Sequence, residues 1–524
     1  MKVIQDLKKY SWILMATVPL VFSSCSEDIM DDINKDVNHS VDAQAKFILA
    51  DVITRTAFSN QGGEGNTYAS AYVEHEVGTH NQLFYAEMRT AQPSSASTYN
   101  NTWGSLYTSL KDAKLIIEKC SEGGPQAGNY VTKGMGEVLA AYNLALITDL
   151  YGDAPWTEAG DYRISFSPKV DKQEVIYQAI MSYLDNAIVD LQKTDSHASG
   201  GPAQYDLLYG GNKAKWLKFA YGLKARYTMR LLKRSTNAQA DLQSVIDNAN
   251  LSFASAGDQA AFGIYDANNL NPTFDFQWSR DGLAASRSLV DKFIERNDPR
   301  LRRSFVGADW VQLADVKPGT EDYELMAPNG ANEEQQYYYH TSAFMFSQTA
   351  PTLLLSYHEI LFLKAEALAR QGAATSVVAP VVKDAVVAAI ANTEVSVAAA
   401  FKAPTVATYG GLEETTEAIT PTEAGSYFDT SVAPLLTANP LKEIMNQKYL
   451  AFFGASGESV EAYNDIRRLK GLGENLIVLK NTKEFPLRFT YGNDDTTTNP
   501  NIQALFGNGQ YVYTEAVWWA GGTR

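Results

Sequence analysis

The stretch PTLLLSYHEILFLKAEALARQG, residues 351–372, decides the fold class. Leu354, Tyr357, Leu361, Ala365 and Leu368 recur at spacings of three or four residues, the rhythm of one apolar face on a helix. The same rhythm runs through Met135, Val138, Leu139, Tyr142 and Leu146, through Trp216, Phe219, Ala220, Leu223 and Tyr227, and through Leu441, Met445, Tyr449 and Phe452. Residues 373–402, heavy in Ala and Val, predict one or two further helices, with Pro404 marking an end. Between the helices lie segments rich in Gly, Asn, Ser, Thr and Pro, notably 59–67, 92–101, 255–282 and 404–440. Excursions of that length in a compact protein are usually functional loops, so the pattern predicts an all-α scaffold carrying its function on loops.

Lys364-Ala365-Glu366-Ala367-Leu368-Ala369 followed by Gly372 resembles the first helix of a tetratricopeptide unit, where alanines let antiparallel helices approach and a glycine closes the turn. No regular period of about 34 residues is present, so the expected fold is a set of irregular tetratricopeptide-like helix pairs with long loop excursions. Length alone would allow two to four domains, but a helical array can grow as one body.

The N-terminus reads as an export signal. Lys2, Lys8 and Lys9 precede an apolar run from Trp12 to Phe22, too short to span a bilayer, then Ser23-Ser24-Cys25 and the acidic Ser26-Glu27-Asp28. A cleavage site directly before a cysteine is similar to a bacterial lipoprotein signal, which makes Cys25 the acylated N-terminus and residues 1–24 the removed peptide. Two or three acyl chains hold a protein on a membrane firmly. No second apolar run approaches the roughly 20 residues of a membrane helix.

The 524-residue chain carries a formal charge of -16, and residues 1–24 hold three Lys and one Asp, so the processed chain stands near -18. So acidic a body repels phosphate backbones, and no Lys/Arg cluster offsets this, which argues against nucleic-acid binding. Only Cys25 and Cys120 are present; with Cys25 acylated, Cys120 has no disulfide partner and is expected to be a buried small residue.

Five blocks, taken in order, resemble the SusD/RagB family of Bacteroidetes outer-membrane lipoproteins: LITDLYGDAPWTEA (146–159), SPKVDKQEVIYQAIMSYLDNAIVDL (167–191), SRSLVDKFIERNDPRL (286–301), the 351–372 stretch, and NPLKEIMNQKYLAFFGASGESVEAYNDIRRLKG (439–471). The resemblance implies a signal peptide at 1–24, a lipidated tether at 25–45, and one helical domain at 46–524 with insertions near 59–101, 255–345 and 404–440. It also implies a non-enzymatic protein without cofactor, anchored by lipid to the outer membrane and facing outward. Such a protein captures an oligosaccharide and acts as a lid on a SusC-like TonB-dependent transporter. A peptide is the alternative cargo within the same family, and a surface glycoside hydrolase is the third reading.

Several blocks read as structure. In Tyr151-Gly152-Asp153-Ala154-Pro155-Trp156 a glycine free to take positive φ and a proline of fixed φ turn the chain after a helix. Asp298-Pro299-Arg300 reads as a helix end with a charge pair, and Asp465, Arg467 and Arg468 as an internal salt-bridge cluster. Trp103, Trp216, Trp518 and Trp519 are expected in the core. Catalytic constellations are missing: His75 and His80 stand five apart rather than four, about 140° around a helix, and cannot grip one ion as a zinc-protease pair does. No G-x-S-x-G elbow or phosphate loop is present. Asn493-Asp494-Asp495 lacks calcium-loop spacing, and no metal ligand is expected.

Binding fits better. A sugar presents a C–H face that packs on aromatic rings and hydroxyls that suit amides, carboxylates and guanidinium forks. Trp278 and Arg280 lie in a stretch, Asn271 to Arg280, supplying both kinds of group. Further candidates are Asn81, Phe84 and Tyr85, Trp310, and Tyr337 and Tyr338 in the run to Tyr339.

Overall fold

Helices dominate from Ala45 onward, and those that start at Lys213, Ala238, Pro272, Arg287, Tyr357 and Pro440 each begin behind a residue whose side chain caps the first turn. The structure, a computed structural model, describes residues 43–524 apart from 95–97 and 162. The signal peptide, Cys25 and nearly all of the tether expected at 25–45 lie outside the described residues.

The longer helices are α1 Ala45–Arg55, α2 Glu64–Tyr72, α3 Asn81–Met88, α4 Asn100–Cys120, α5 Tyr130–Tyr151, α6 Gln173–Gln192 and α7 Lys213–Arg230. They continue with α8 Ala238–Leu251, α9 Pro272–Arg280, α10 Arg287–Arg296, α11 Tyr357–Arg370, α12 Thr375–Phe401, α13 Pro440–Ala451 and α14 Ser459–Leu472. They pack largely in series: α4 on α5, α5 on α6, α6 on α7, α7 on α8, then α8 across the long excursion to α11, and α11 on α12 and α13. Helix α5 is buried on almost every side, the character of a helix enclosed by neighbours. It ends where Gly152 takes φ 82°, as the Tyr151–Trp156 turn predicted. Residues Ala45–Arg524 make one compact unit.

The strands are short and pair two by two, all antiparallel: β1 Glu76–Gly78 with β5 Leu283–Ala285, β2 Ala154–Pro155 with β3 Val170–Asp171, β4 Ala260–Phe262 with β8 Thr352–Leu355, and β6 Phe305–Val306 with β7 Thr341–Ser342. They clip excursions onto the helical body, and the fold class is all-α.

The deciding stretch starts its helix later than its apolar spacing suggests. Ser356 Oγ accepts from Glu359 N at 3.1 Å, an N-cap that begins α11 at Tyr357 and leaves Leu354 in β8. Two expected loops are helices. Asn271 Oδ1 accepts from Thr273 N at 2.8 Å, and Pro272 occupies the first helical position, so the segment around Trp278 is α9. Residues 59–67 likewise fall in a π-helical turn, Thr56–Gln61, and the start of α2. Residues 373–402 form one helix, and Pro404 opens a short helical turn at Pro404–Ala407.

Thr375–Ala407 passes the length and composition test of a membrane span, contrary to the expectation of no second such run. In the structure α12 buries Val378, Val382, Val386 and Ile390 against Phe362 and Ala365 of α11. Two of its charges are engaged too: Lys383 meets Asp429 at 2.7 Å, and Glu394 meets Arg303 at 3.0 Å.

Trp103, Trp216 and Trp519 are core, Trp518 is half-buried, and Cys120 is buried, its thiol pushed up to about 12 by burial. Asp298 and Arg300 form the expected pair, at 2.6 Å and fully buried. Asp465 and Arg468 join an ion network in α14, with Lys448 at 2.7 Å from Asp465 and Glu366 at 2.7 Å from Arg468. Arg467 departs from that cluster: it donates to the Asp149 carbonyl at 2.7 Å, its guanidinium 4.1 Å from the Tyr463 ring.

Candidate functional site

An open cleft of about 1070 Å³ lies among α2, the start of α3, the start of α4 and α9. The β1–β5 pair positions it. Gly78 is in register with Leu283, and Thr79 N donates to the Gly282 carbonyl at 2.9 Å, so the residues after β1 and those before β5 meet across one opening. Asn81 and Gln82 therefore face the segment that ends with Phe276 and Arg280.

Glu64 supplies a carboxylate to the lining. Its Oε2 accepts from Thr102 N at 3.3 Å and Thr102 Oγ1 at 3.2 Å. Burial holds the carboxyl above its ordinary range, opposed by the Thr102 bonds and by the Arg280 charge. Tyr68, one helical turn on, donates its hydroxyl to Gln82 Oε1 at 3.4 Å, and burial pushes its phenol upward. Arg280 lays its guanidinium 5.4 Å from the centre of the Phe276 ring. The cleft thus joins a carboxylate, amides and a guanidinium fork to aromatic faces, the mixture that a ring with apolar faces and hydroxyl edges requires.

A strap closes one side. Gln336 Nε2 donates to the Arg280 carbonyl at 2.7 Å, Tyr337 N to Asp281 Oδ2 at 2.9 Å, and Asn81 N to Glu334 Oε1 at 3.2 Å. Asn81, Asp281 and Tyr337 all sit at positive φ, between 44° and 57°. Such strain in non-glycine residues collects where surrounding contacts over-determine the backbone, as at ligand clamps. Burial raises the Asp281 carboxyl, while the Tyr337 amide and nearby His80 pull it down.

Of the residues singled out from the sequence, Asn81 and Arg280 come together on the cleft. Tyr337 and Tyr338 stand exposed on the strap. Phe84 and Tyr85 follow on α3 with ring centres 5.7 Å apart, outside the cleft lining. Trp278 points elsewhere. Two residues after Phe276, it lies about 200° around the helix, stacks on Phe274 at 5.4 Å, and joins Tyr409 at 5.6 Å and Trp310 at 6.2 Å in a second, partly exposed aromatic group. The sequence reading missed Glu64, Tyr68, Asn101 and Tyr409. Glu64 lay inside the flagged 59–67 segment and Asn101 at the end of the flagged 92–101 segment, whereas Tyr68 had no local signal.

His75 and His80 diverge for a reason other than helical angle, because Glu76–Gly78 is a strand. His75 is buried between Ser459 Oγ at 2.9 Å and the Tyr449 carbonyl at 3.0 Å, and burial pushes it down to about 3. His80 lines the cleft. Among the described residues no group of three or more His, Cys, Asp or Glu is placed to hold a metal. Asp495 accepts from Trp103 Nε1 at 2.5 Å, a structural role.

The family model described as "Starch-binding associating with outer membrane", a SusD-like model, matches residues 37–492. A solved SusD/RagB family protein of Bacteroides thetaiotaomicron is 52% identical, with a TM-score of 0.86 over 92% of this chain and 100% of its own. A chitin-binding protein shares the fold at 23% identity and TM-score 0.66, covering 90% of this chain and 99% of its own. A chitin-binding SusD homolog from Flavobacterium johnsoniae does so at 17% identity and TM-score 0.65, covering 91% and 99%. No curated protein matches the chain. Members of the matched family are outer-membrane-associated nutrient-binding proteins. A helical body with tetratricopeptide-like packing, clipped excursions and a family match across most of its length make this chain a member of the SusD-like family.

Proposed function

We propose that this protein is a non-catalytic surface receptor for an oligosaccharide, held on the outer membrane by acyl chains at Cys25. It passes its cargo to a SusC-like TonB-dependent transporter as a lid on the barrel. The observation that carries the reading is the cleft, where the Glu64 carboxylate, Asn81 and the Arg280 fork surround the rings of Tyr68 and Phe276. The chitin-binding neighbours of the same fold favour a glycan over a peptide as first choice. The second aromatic group, Trp278 with Trp310 and Tyr409, extends the surface for longer chains, and Tyr337 and Tyr338 add exposed rings on the strap that bonds Arg280 and Asp281.

The test is calorimetry of the purified protein with chitin-derived, starch-derived and other oligosaccharides, alongside a tryptic peptide mixture. Saturable glycan binding that Arg280→Ala weakens supports the proposal. Retention of peptides alone, or cleavage of any bound glycan, overturns it.

A further inference from the structure

A second, smaller cavity of about 280 Å³ lies away from the cleft, between α14 and the segment 474–485. Its lining includes Arg89, Lys470 and Lys483. Glu474 and Glu484 also line it; Glu474 is committed to Arg370 through bonds of 2.8 and 2.7 Å, so the three cations outweigh the carboxylates. In a chain of net charge -16 this is a local cationic exception.

Arg89 is the anomaly at its centre. It caps α3 in the left-handed region, at φ 49°, which a non-glycine side chain adopts only when held there. It is 8% exposed, yet the hydrogen bond that its guanidinium makes among the described residues is Nη2 on the Tyr72 carbonyl at 3.1 Å. Its Nε is buried without a partner. A guanidinium carries several donors in a rigid fork suited to carboxylates, and leaving them unmet in the interior costs free energy. Arg89 and Lys470 both lie over the Phe485 ring, at 5.7 and 5.5 Å, so the cations are gathered around one wall.

The opposite wall is preformed. Glu74 accepts from Lys480 N at 2.8 Å and from Asn481 N at 2.6 Å, Asn481 Nδ2 donates to the Glu87 carbonyl at 2.9 Å, and Asn446 Nδ2 donates to the Leu476 carbonyl at 3.0 Å. A rigid, mostly polar cavity with an under-used guanidinium and two lysines is built for a small oxyanion rather than a polymer.

We infer that this cavity binds a small hydroxylated carboxylate, of the size of a single sugar acid, with its carboxylate on Arg89 and its hydroxyls on Lys470, Lys483 and the surrounding backbone. The site is independent of the cleft and of the reading given to it.

The experiment uses D-glucuronate as probe and D-glucose as its neutral counterpart, followed by methyl NMR of the full chain. Expected are saturable shifts of the Ile466, Leu469 and Ile477 methyls with glucuronate, no comparable shifts with glucose, and an unmoved Leu83 methyl in the cleft. Lys470→Gln with Lys483→Gln, neither of which hydrogen-bonds Arg89, weakens the binding at least about tenfold. Arg89→Gln abolishes it if that variant folds. No saturable shift with glucuronate, equal shifts with glucose, or binding unchanged in the double lysine variant would overturn the inference.

Discussion

Arg468 Nη1 lies 2.7 Å from Glu366 Oε1, with both side chains fully buried, so α14 and α11 are joined by an ion pair inside the core. Arg370 shares the same carboxylate at 2.8 Å, and Asp465 takes the other edge of Arg468 at 2.9 Å. Against the opposing effect of burial, the Arg468 and Arg370 guanidinium charges hold the Glu366 carboxyl below its ordinary range, and the Lys448 ammonium with Arg468 does the same for Asp465. Their contribution to stability is present above the unfolded-state carboxylate range and is lost as the solution turns acid. Arg468→Met leaves Glu366 with Arg370 and Asp465 with Lys448 as the remaining cations, each buried carboxylate short of one partner, and a loss of about 3 kcal/mol is expected in urea unfolding at neutral pH. An unchanged midpoint would show that the network adds nothing.

Glu87 has the opposite sign. Burial pushes its carboxyl up to about 7 from an ordinary 4.5, because the Arg89 charge, the Gly330 amide and Asn481 only partly compensate. Its folded form therefore holds a proton that the unfolded chain releases, and stability falls as pH rises between those values. Glu87→Gln removes that cost. The variant should match the parent near pH 4.5 and exceed it above pH 7 by up to roughly 3 kcal/mol, read from urea midpoints at both pH values. An equal difference at the two pH values would refute the assignment.

Arg280 and Trp278 separate the two faces of α9. Arg280→Ala should weaken a bound oligosaccharide of any length about tenfold, near 1.4 kcal/mol, without moving the melting temperature, since Arg280 is exposed. Trp278→Ala should spare a disaccharide and weaken a hexasaccharide, because only a long chain can reach the group it forms with Tyr409. Equal losses for both lengths would place the tryptophan at the main site.

Much of the scaffold was legible from apolar spacing, as α5, α7, α11 and α13 attest. The boundaries were less so. Ser356 and Asn271 start helices through side-chain caps that composition alone does not reveal, which moved Leu354 into a strand and Trp278 out of a loop. In the site, Asn81 and Arg280 share a cleft through the β1–β5 pairing, a relation with no local signature. Glu64 and Asn101 were invisible as binding candidates for the same reason, and Tyr409 resembles any exposed loop aromatic until Trp278 is seen beside it.

Gly78 is where strand and helix come closest at the cleft. A Cβ there would run into the carbonyl of Leu83, a backbone atom of α3 that cannot swing aside. Gly78→Ala should cost about 1–3 kcal/mol and weaken glycan binding together with the melting temperature. A stable variant with intact binding would mean that α3 moves freely.

Cys25→Ser tests the anchor without touching the folded body. The expected result is loss of fatty-acid labelling and release of the protein from sedimented membranes. Persistent sedimentation would point to another attachment.

The pairing of Glu76 with Ala285 has a consequence for how the protein matures. His75 bonds Ser459, and Glu74 holds Asn481, so the segment that leads from the Tyr68 helix into β1 is fixed by residues made about four hundred positions later. Helical pairs in the first half can zip up early from near neighbours, while closure over so long a separation comes last and slowly. A chain folding from its N-terminus would keep the cleft incomplete until its final stretch arrives, and shortened versions lacking that stretch would be well coiled yet without a formed cleft.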